Sequence, residues 1–181
     1  MLTITQVCAK LNIGTNLDLM EILNNDKYII LNKKKYEPHK FSALICKYME
    51  TNLTFLIFKT GNIIITGAKD KCQVNDAIND LVLMLNLIGH VDAKIIEWKI
   101  TNYCAKFEFN NNINIERLIE NRKTQCEYEP EIFANMKYKL NGHKFTICRH
   151  GCIFATGFKN IRELNKNFKQ ISKQIDPFII K

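Results

Sequence analysis

The chain has 181 residues, 46% of them hydrophobic, and carries 26 Lys+Arg against 18 Asp+Glu for a net charge of +8. That length and apolar content allow a buried core and exclude wholesale disorder, and no run approaches the roughly 18 apolar residues that cross a membrane. A basic balance favours a polyanionic partner. The charge is uneven: residues 1–92 hold 10 Lys+Arg and 9 Asp+Glu (+1), whereas residues 93–181 hold 16 and 9 (+7). Met-Leu-Thr-Ile-Thr-Gln at the N-terminus lacks a basic segment followed by an apolar run, so no secretory signal is expected. The seven scattered cysteines then read as reduced thiols rather than a disulfide framework.

Along the chain, Ile4 to Ile13 alternates loosely and predicts a strand ending near Gly14. Leu17, Leu19, Ile22 and Leu23 recur at helical spacing and predict a short helix. Phe41 to Met49, Thr54 to Lys59 and Asn62 to Thr66 read as strands, the last two joined at a Thr60-Gly61 hairpin turn. Val74, Ala77, Ile78, Leu81, Leu85 and Ile88 mark one face of a long helix. In the second half Ile113, Ile115, Leu118 and Ile119 answer the short helix, and Ile161, Leu164, Phe168, Ile171 and Ile175 answer the long one, with Pro177 just beyond. Each half thus reads strand, helix, three strands, helix, which is an α+β pattern.

The two halves also repeat in detail. Tyr36-Glu-Pro-His-Lys-Phe41 returns as Tyr128-Glu-Pro-Glu-Ile-Phe133, Gly61-Asn-Ile-Ile-Ile-Thr-Gly-Ala-Lys69 as Gly151-Cys-Ile-Phe-Ala-Thr-Gly-Phe-Lys159, and Cys8-Ala-Lys10 as Cys104-Ala-Lys106. The offsets are 92, 90 and 96 residues (128 − 36, 151 − 61, 104 − 8). Two copies are too few for a solenoid, which needs at least about three; two similar units, residues 1–92 and 93–181, are expected. Both faces of the predicted sheet are apolar. Phe55, Ile57, Ile63 and Ile65 fill one, and Leu56, Phe58, Ile64 and Thr66 fill the other. Either helices cover both faces, or one apolar face is exposed for binding.

Tyr36-Glu-Pro-His-Lys-Phe41, Leu56-Ile-Phe58 and Gly61–Lys69 resemble the first repeat of the TATA-box-binding protein family, and Tyr128-Glu-Pro-Glu-Ile-Phe133 with Thr156-Gly157 resemble the second. The resemblance implies two pseudo-symmetric repeats forming a saddle-shaped ten-stranded antiparallel sheet with four helices on the convex face. It also implies that the other, apolar face sits on a minor groove, where few hydrogen-bonding features are on offer. Phe41, Phe58 and Phe133 match wedges that enter base steps and kink the duplex. The fourth wedge is missing: the second hairpin is two residues shorter near Asn141-Gly142, which puts Cys148 at that place, and Phe145 could serve only in a different register. Phe154 lies on the same face in place of a small β-branched residue.

Of the family's polar groove contacts, Thr66, Asn102 and Thr156 match, and Gln6 replaces an Asn. Cys8 and Cys104 replace a central Val pair, Leu56 and Ile64 match apolar contacts, and Lys47 and Lys139 stand where Arg meets phosphates. The implied function is recognition and bending of A/T-rich, TATA-like duplex DNA in transcription initiation. Glu129 and Glu131 match the loop that meets a factor-IIB-type protein, which brings RNA polymerase machinery. Asp70, Asp76 and Asp80 stand where the family is basic and leave a factor-IIA-type contact open; Arg162, Lys166, Lys169 and Lys173 form a basic stripe that reads as a solvated helix face. A nuclear address is implied, or a cytoplasmic transcription site for a viral source.

An enzyme is the rival class, but no Gly-rich phosphate loop, nucleophile–base pair or paired-carboxylate signature occurs, and no cofactor is expected. His143, Cys148, His150 and Cys152 are metal-capable yet lack paired-knuckle spacing, so no metal is expected either. The other alternative is a diverged saddle that acts as a protein-interaction module without TATA specificity.

Overall fold

The computed structural model describes residues 2–27, 30–49 and 51–180. The chain packs as two compact units, one of Gln6–Thr101 and one of the remaining described residues. All the strand pairs are antiparallel.

In the first half the strands are β1 (Leu2–Asn12), β2 (Leu31–Lys35), β3 (Ala43–Tyr48), β4 (Thr54–Phe58) and β5 (Asn62–Ala68), hydrogen-bonded in the order β2-β3-β4-β5-β1. Strand alternation sends Val7, Ala9 and Leu11 of β1, Phe55 and Ile57 of β4 and Ile63 and Ile65 of β5 into the core, all with no exposed surface. Helix α1 (Leu19–Asn24) starts at Asp18, whose carboxylate accepts the N–H groups of Met20 and Glu21, and buries Leu19 and Ile22. Helix α2 (Lys71–Leu87) is capped by Asp70 and buries Val74, Ala77, Ile78, Leu81 and Leu85. The helices therefore fill one face of these strands.

The second half repeats this with β6 (Glu97–Glu108), β7 (Cys126–Glu127), β8 (Met136–Leu140), β9 (His143–Ile147) and β10 (Cys152–Phe158), in the order β6-β10-β9-β8-β7. Helix α3 (Ile115–Arg122) is capped by Asn114, and α4 (Ile161–Ile175) by Asn160. Leu164, Phe168, Ile171 and Ile175 of α4 share a core with Tyr138, Phe145, Ile153 and Phe158, and Leu2 and Ile4 pack against it. Among the described residues no helix is long and apolar enough to cross a membrane.

One expectation drawn from periodicity needs correction. Each half has five strands, because β2 and β7 escape the hydrophobic pattern. β2 reads Leu-Asn-Lys-Lys-Lys and β7 is two residues long. Both are end strands in the order above, where charge and shortness discourage further pairing. Phe145 could be a wedge only in a different register, and the structure does not adopt that register. Phe145 is fully buried, edge-on to Phe168 with ring centroids 5.8 Å apart, so it is no wedge. The two-residue Asn141-Gly142 connection sets that register: both residues have positive φ (50° and 78°), the geometry of a tight hairpin turn, and it pairs Tyr138 with Phe145.

The two hairpin glycines of the second half differ in how tightly their surroundings hold them. Gly151 has φ +89°, and a Cβ there would run into the carbonyls of Asn111 and Phe109, whereas nothing lies within 4 Å of a Cβ on Gly142. Gly151→Ala should therefore cost at least about 2 kcal/mol more than Gly142→Ala, a further fall of about 4–8 °C in Tm for a chain of this size, measurable by thermal unfolding followed by circular dichroism. Equal Tm values for the two variants would remove the backbone clash as the reason for Gly151.

Candidate nucleic-acid interface

The face that the helices leave open is built from the alternate residues of the same strands. In the first half, register places Ile45, Leu56, Ile64 and Lys10 in one row across β3, β4, β5 and β1. Ile64 is 38% exposed, and Ile45 and Leu56 are half-buried. The next row runs Lys47, Thr54, Thr66. There the pairing of β1 with β5 slips between Val7 and Ala9, and the slip brings Gln6 and Cys8 against Thr66. Gln6 Nε2 donates to Thr66 Oγ1, and Cys8 Sγ lies 3.4 Å from the same oxygen.

The second half builds the same rows from different residues. Lys137, Thr146, Phe154 and Lys106 stand where Ile45, Leu56, Ile64 and Lys10 stand in the first. Phe154 is 36% exposed, and the ammonium of Lys106 lies 5.8 Å from its ring centroid. The slip here falls between Ala155 and Phe158, at Thr156-Gly157. Asn102 Oδ1 accepts the Gly157 N–H at 2.7 Å, its Nδ2 lies 3.3 Å from Cys104 Sγ, and Thr156 is exposed.

Each half also carries an exposed phenylalanine on a matching turn. The carbonyl of Glu37 accepts the N–H groups of Lys40 and Phe41, both at 2.9 Å, and the carbonyl of Glu129 accepts those of Ile132 and Phe133 at 3.0 and 2.9 Å. Phe41 and Phe133 are 42% and 43% exposed. Phe41 meets Phe58 edge-on, with centroids 6.0 Å apart. Phe133 has Lys137 over its ring at 5.9 Å instead, because Cys148 is 98% buried and offers nothing at the surface. Salt bridges from Lys40 (2.8 Å) and Lys35 (3.1 Å) hold the Glu37 carboxyl below the usual carboxylate range. Glu129 and Glu131 are exposed, and Glu129 lines a shallow pocket with Tyr128, Ile132 and Phe133.

Compared with known proteins, residues 1–88 and 97–178 match the family model described as transcription factor TFIID, or TATA-binding protein. The chain belongs to the TATA-binding protein family. A TATA-box-binding protein of Methanococcus maripaludis is 31% identical over 175 residues, covering 95% of this chain and 92% of that one. One from Acetabularia peniculus is 29% identical, covering 95% and 88%. The solved structure of TBP from Methanococcus jannaschii superposes with a TM-score of 0.80 at 29% identity, over 97% of this chain and 98% of that one.

The open face of the second half is more polar than that of the first, with Lys137 and Thr146 where Ile45 and Leu56 stand. Alternation on β3 and β8 could have revealed Ile45 and Lys137, which lie in phase with Lys47 and Lys139; sequence reading passed over them because neither sits in a repeated block. The metal-capable side chains have other engagements. His143 stacks on Phe158 at 4.1 Å and contacts Glu163 at 3.0 Å, while burial pushes the Cys148 and Cys152 thiols up. Among the described residues no three His, Cys, Asp or Glu side chains gather as a metal site.

Lys139 is not free to meet phosphate as it stands: it pairs with Glu127, whose carboxyl it holds below the usual range. Glu127→Gln should release it. The plot of log affinity for duplex DNA against log salt should then steepen by up to about 0.9, the share of one extra phosphate contact, and a slope unchanged within error would place Lys139 off the DNA path. Thiol footprinting offers an independent test of the faces. Duplex DNA should protect Cys8 and Cys104 from alkylation and leave exposed Cys72 reactive, while Cys46, buried and with its pKa pushed up to about 12 by desolvation, reacts only after unfolding. Labelling of Cys8 and Cys104 that ignores DNA would show that this face is not used.

Proposed function

We propose that this chain binds A/T-rich, TATA-like duplex DNA in the minor groove and acts in transcription initiation, through two repeats at residues 1–92 and 93–181. One observation carries the reading: in both halves one strand face is uncovered, apolar at Ile45, Leu56 and Ile64 in the first and at Phe154 in the second, with a few amide, hydroxyl and thiol groups clustered at each slip in strand pairing. A minor groove at A·T pairs displays only acceptors, so such a face leaves few polar groups unpaired, and apolar wedges can part base steps. Phe41, Phe58 and Phe133 are the wedges. Gln6, Cys8, Leu56, Ile64 and Thr66 make the groove contacts of the first half, and Asn102, Cys104, Phe154 and Thr156 those of the second. Lys47 and Lys139 meet phosphates. Glu129 and Glu131, exposed beside the Phe133 turn, offer a docking point for a factor-IIB-type protein and through it for RNA polymerase. The place of action is wherever the source cell or virus transcribes, the nucleus in a eukaryotic host.

Fluorescence anisotropy with TATA and scrambled duplexes at moderate salt tests the reading. The TATA duplex should bind tighter, and equally weak binding of both would favour the protein-interaction alternative. Phe41→Ala removes a ring worth about 1.5–3 kcal/mol when fully buried, so affinity should fall by about tenfold or more and the bend, read by energy transfer between duplex ends, should decrease. An unchanged bend would take Phe41 out of the wedge role.

A further inference from the structure

The amides at the two slips are held by chemically different partners. Asn102 Oδ1 takes the N–H of Gly157, a group that can only donate, at 2.7 Å. That bond fixes the amide: the oxygen is committed to the backbone, and Nδ2 is the end left for other contacts. Cys104 Sγ, 3.3 Å from Nδ2, is a weak acceptor that does not saturate two amide hydrogens. The second half therefore presents a donor of fixed identity.

Gln6 occupies the matching place in the first half, one methylene longer, and reaches across to the side chain of Thr66, with Cys8 Sγ 3.5 Å away. A hydroxyl and a thiol each donate or accept. Turning the Gln6 amide end over end keeps both contacts, with Thr66 Oγ1 then donating to Oε1. Among the described residues no backbone N–H holds Oε1. Gln6 is thus free to offer a donor or an acceptor, whereas Asn102 is restricted to a donor.

The minor groove turns that difference into sequence discrimination. A·T and T·A pairs present acceptors alone, and a G·C pair adds the guanine N2 amino donor. A fixed donor opposes that amino group, while a reversible amide can turn its oxygen to it. We propose that the two halves read DNA with unequal stringency: Asn102 confines its half of the site to A·T pairs, and Gln6 lets its half accept a G·C pair. The inference rests on the groove reading above.

The test uses the whole protein and a panel of TATA duplexes, each with a single A·T→G·C exchange stepped through the site, with affinities measured at one salt concentration. Exchanges in one half should cost about tenfold or more, and at least one exchange in the other half should cost less than about threefold. Gln6→Asn, confirmed folded by circular dichroism, should bring the tolerant half to the stricter penalty. Asn102→Gln should relax the strict half, and it decides the matter if the first variant fails to fold. Equal penalties in both halves of the wild-type site would overturn the proposal, as would an asymmetry that survives both substitutions. Failure of the groove reading looks different, because the unmodified TATA duplex would then bind no better than its scrambled counterpart.

Discussion

A β-strand with apolar residues at both its odd and its even positions has two faces to cover, and in this chain helices cover one. Val7, Ala9, Leu11, Ile63 and Ile65 are sealed under helices, while Ile64 and its neighbour Leu56 stay on the opposite side, Ile64 at 38% exposure. Large exposed apolar patches are uncommon on soluble proteins and mark binding surfaces. The remaining features follow from keeping that face open and useful. Strand pairing slips at one place in each half, and those slips gather the polar groups. The turns before β3 and β8 hold Phe41 and Phe133 outward through paired N–H bonds to a single glutamate carbonyl.

Duplication kept this frame and let its contents drift. The strand rows correspond position by position, yet the places of Ile45 and Leu56 in the first half are taken by Lys137 and Thr146 in the second. One hairpin is also shorter in the second half. With five residues between β3 and β4, but only Asn141-Gly142 between β8 and β9, the second hairpin is drawn toward α4, where Asn141 Nδ2 bonds Asn167 Oδ1 at 2.9 Å. Asn167, itself 97% buried, bonds the Glu163 carbonyl at 3.0 Å, so a satisfied polar pair anchors the tight turn. Cys148, the counterpart of Phe58, is buried, so Phe133 lacks the edge-on aromatic neighbour that Phe41 has in Phe58.

Much of this was legible in the sequence because repetition and alternation are properties of the chain itself. The three sequence offsets of 92, 90 and 96 residues reappear as strand register: Ile45 matches Lys137 at 92, Ile64 matches Phe154 at 90 and Lys10 matches Lys106 at 96. β2 and β7 were illegible because an edge strand is specified by its partner's free hydrogen bonds and not by its own apolar pattern. The Gln6–Thr66 contact links residues 60 apart and depends on where pairing slips, which no local pattern records. The same holds for Glu127 and Lys139. They become diagonal neighbours only because β7 pairs Glu127 with Lys137.

That last pairing bears on the electrostatics of the whole second half. Its formal charge of +7 already counts the carboxylates of Glu108, Glu127 and Glu116, which occupy three of its cations, Lys106, Lys139 and Arg149. The Glu108, Glu127 and Glu116 carboxyls all sit below the usual carboxylate range because of these partners. They are also solvent-exposed, and exposed pairs hold weakly and are screened by salt. On the proposed DNA-binding reading, a duplex would exchange a carboxylate for a phosphate at Lys139 with little loss, and releasing condensed counterions from DNA would make the exchange favourable at low salt. On that reading the carboxylates of Glu108 and Glu127 are place-holders for phosphates at Lys106 and Lys139, while the choice of sequence falls to the apolar residues and the two amides.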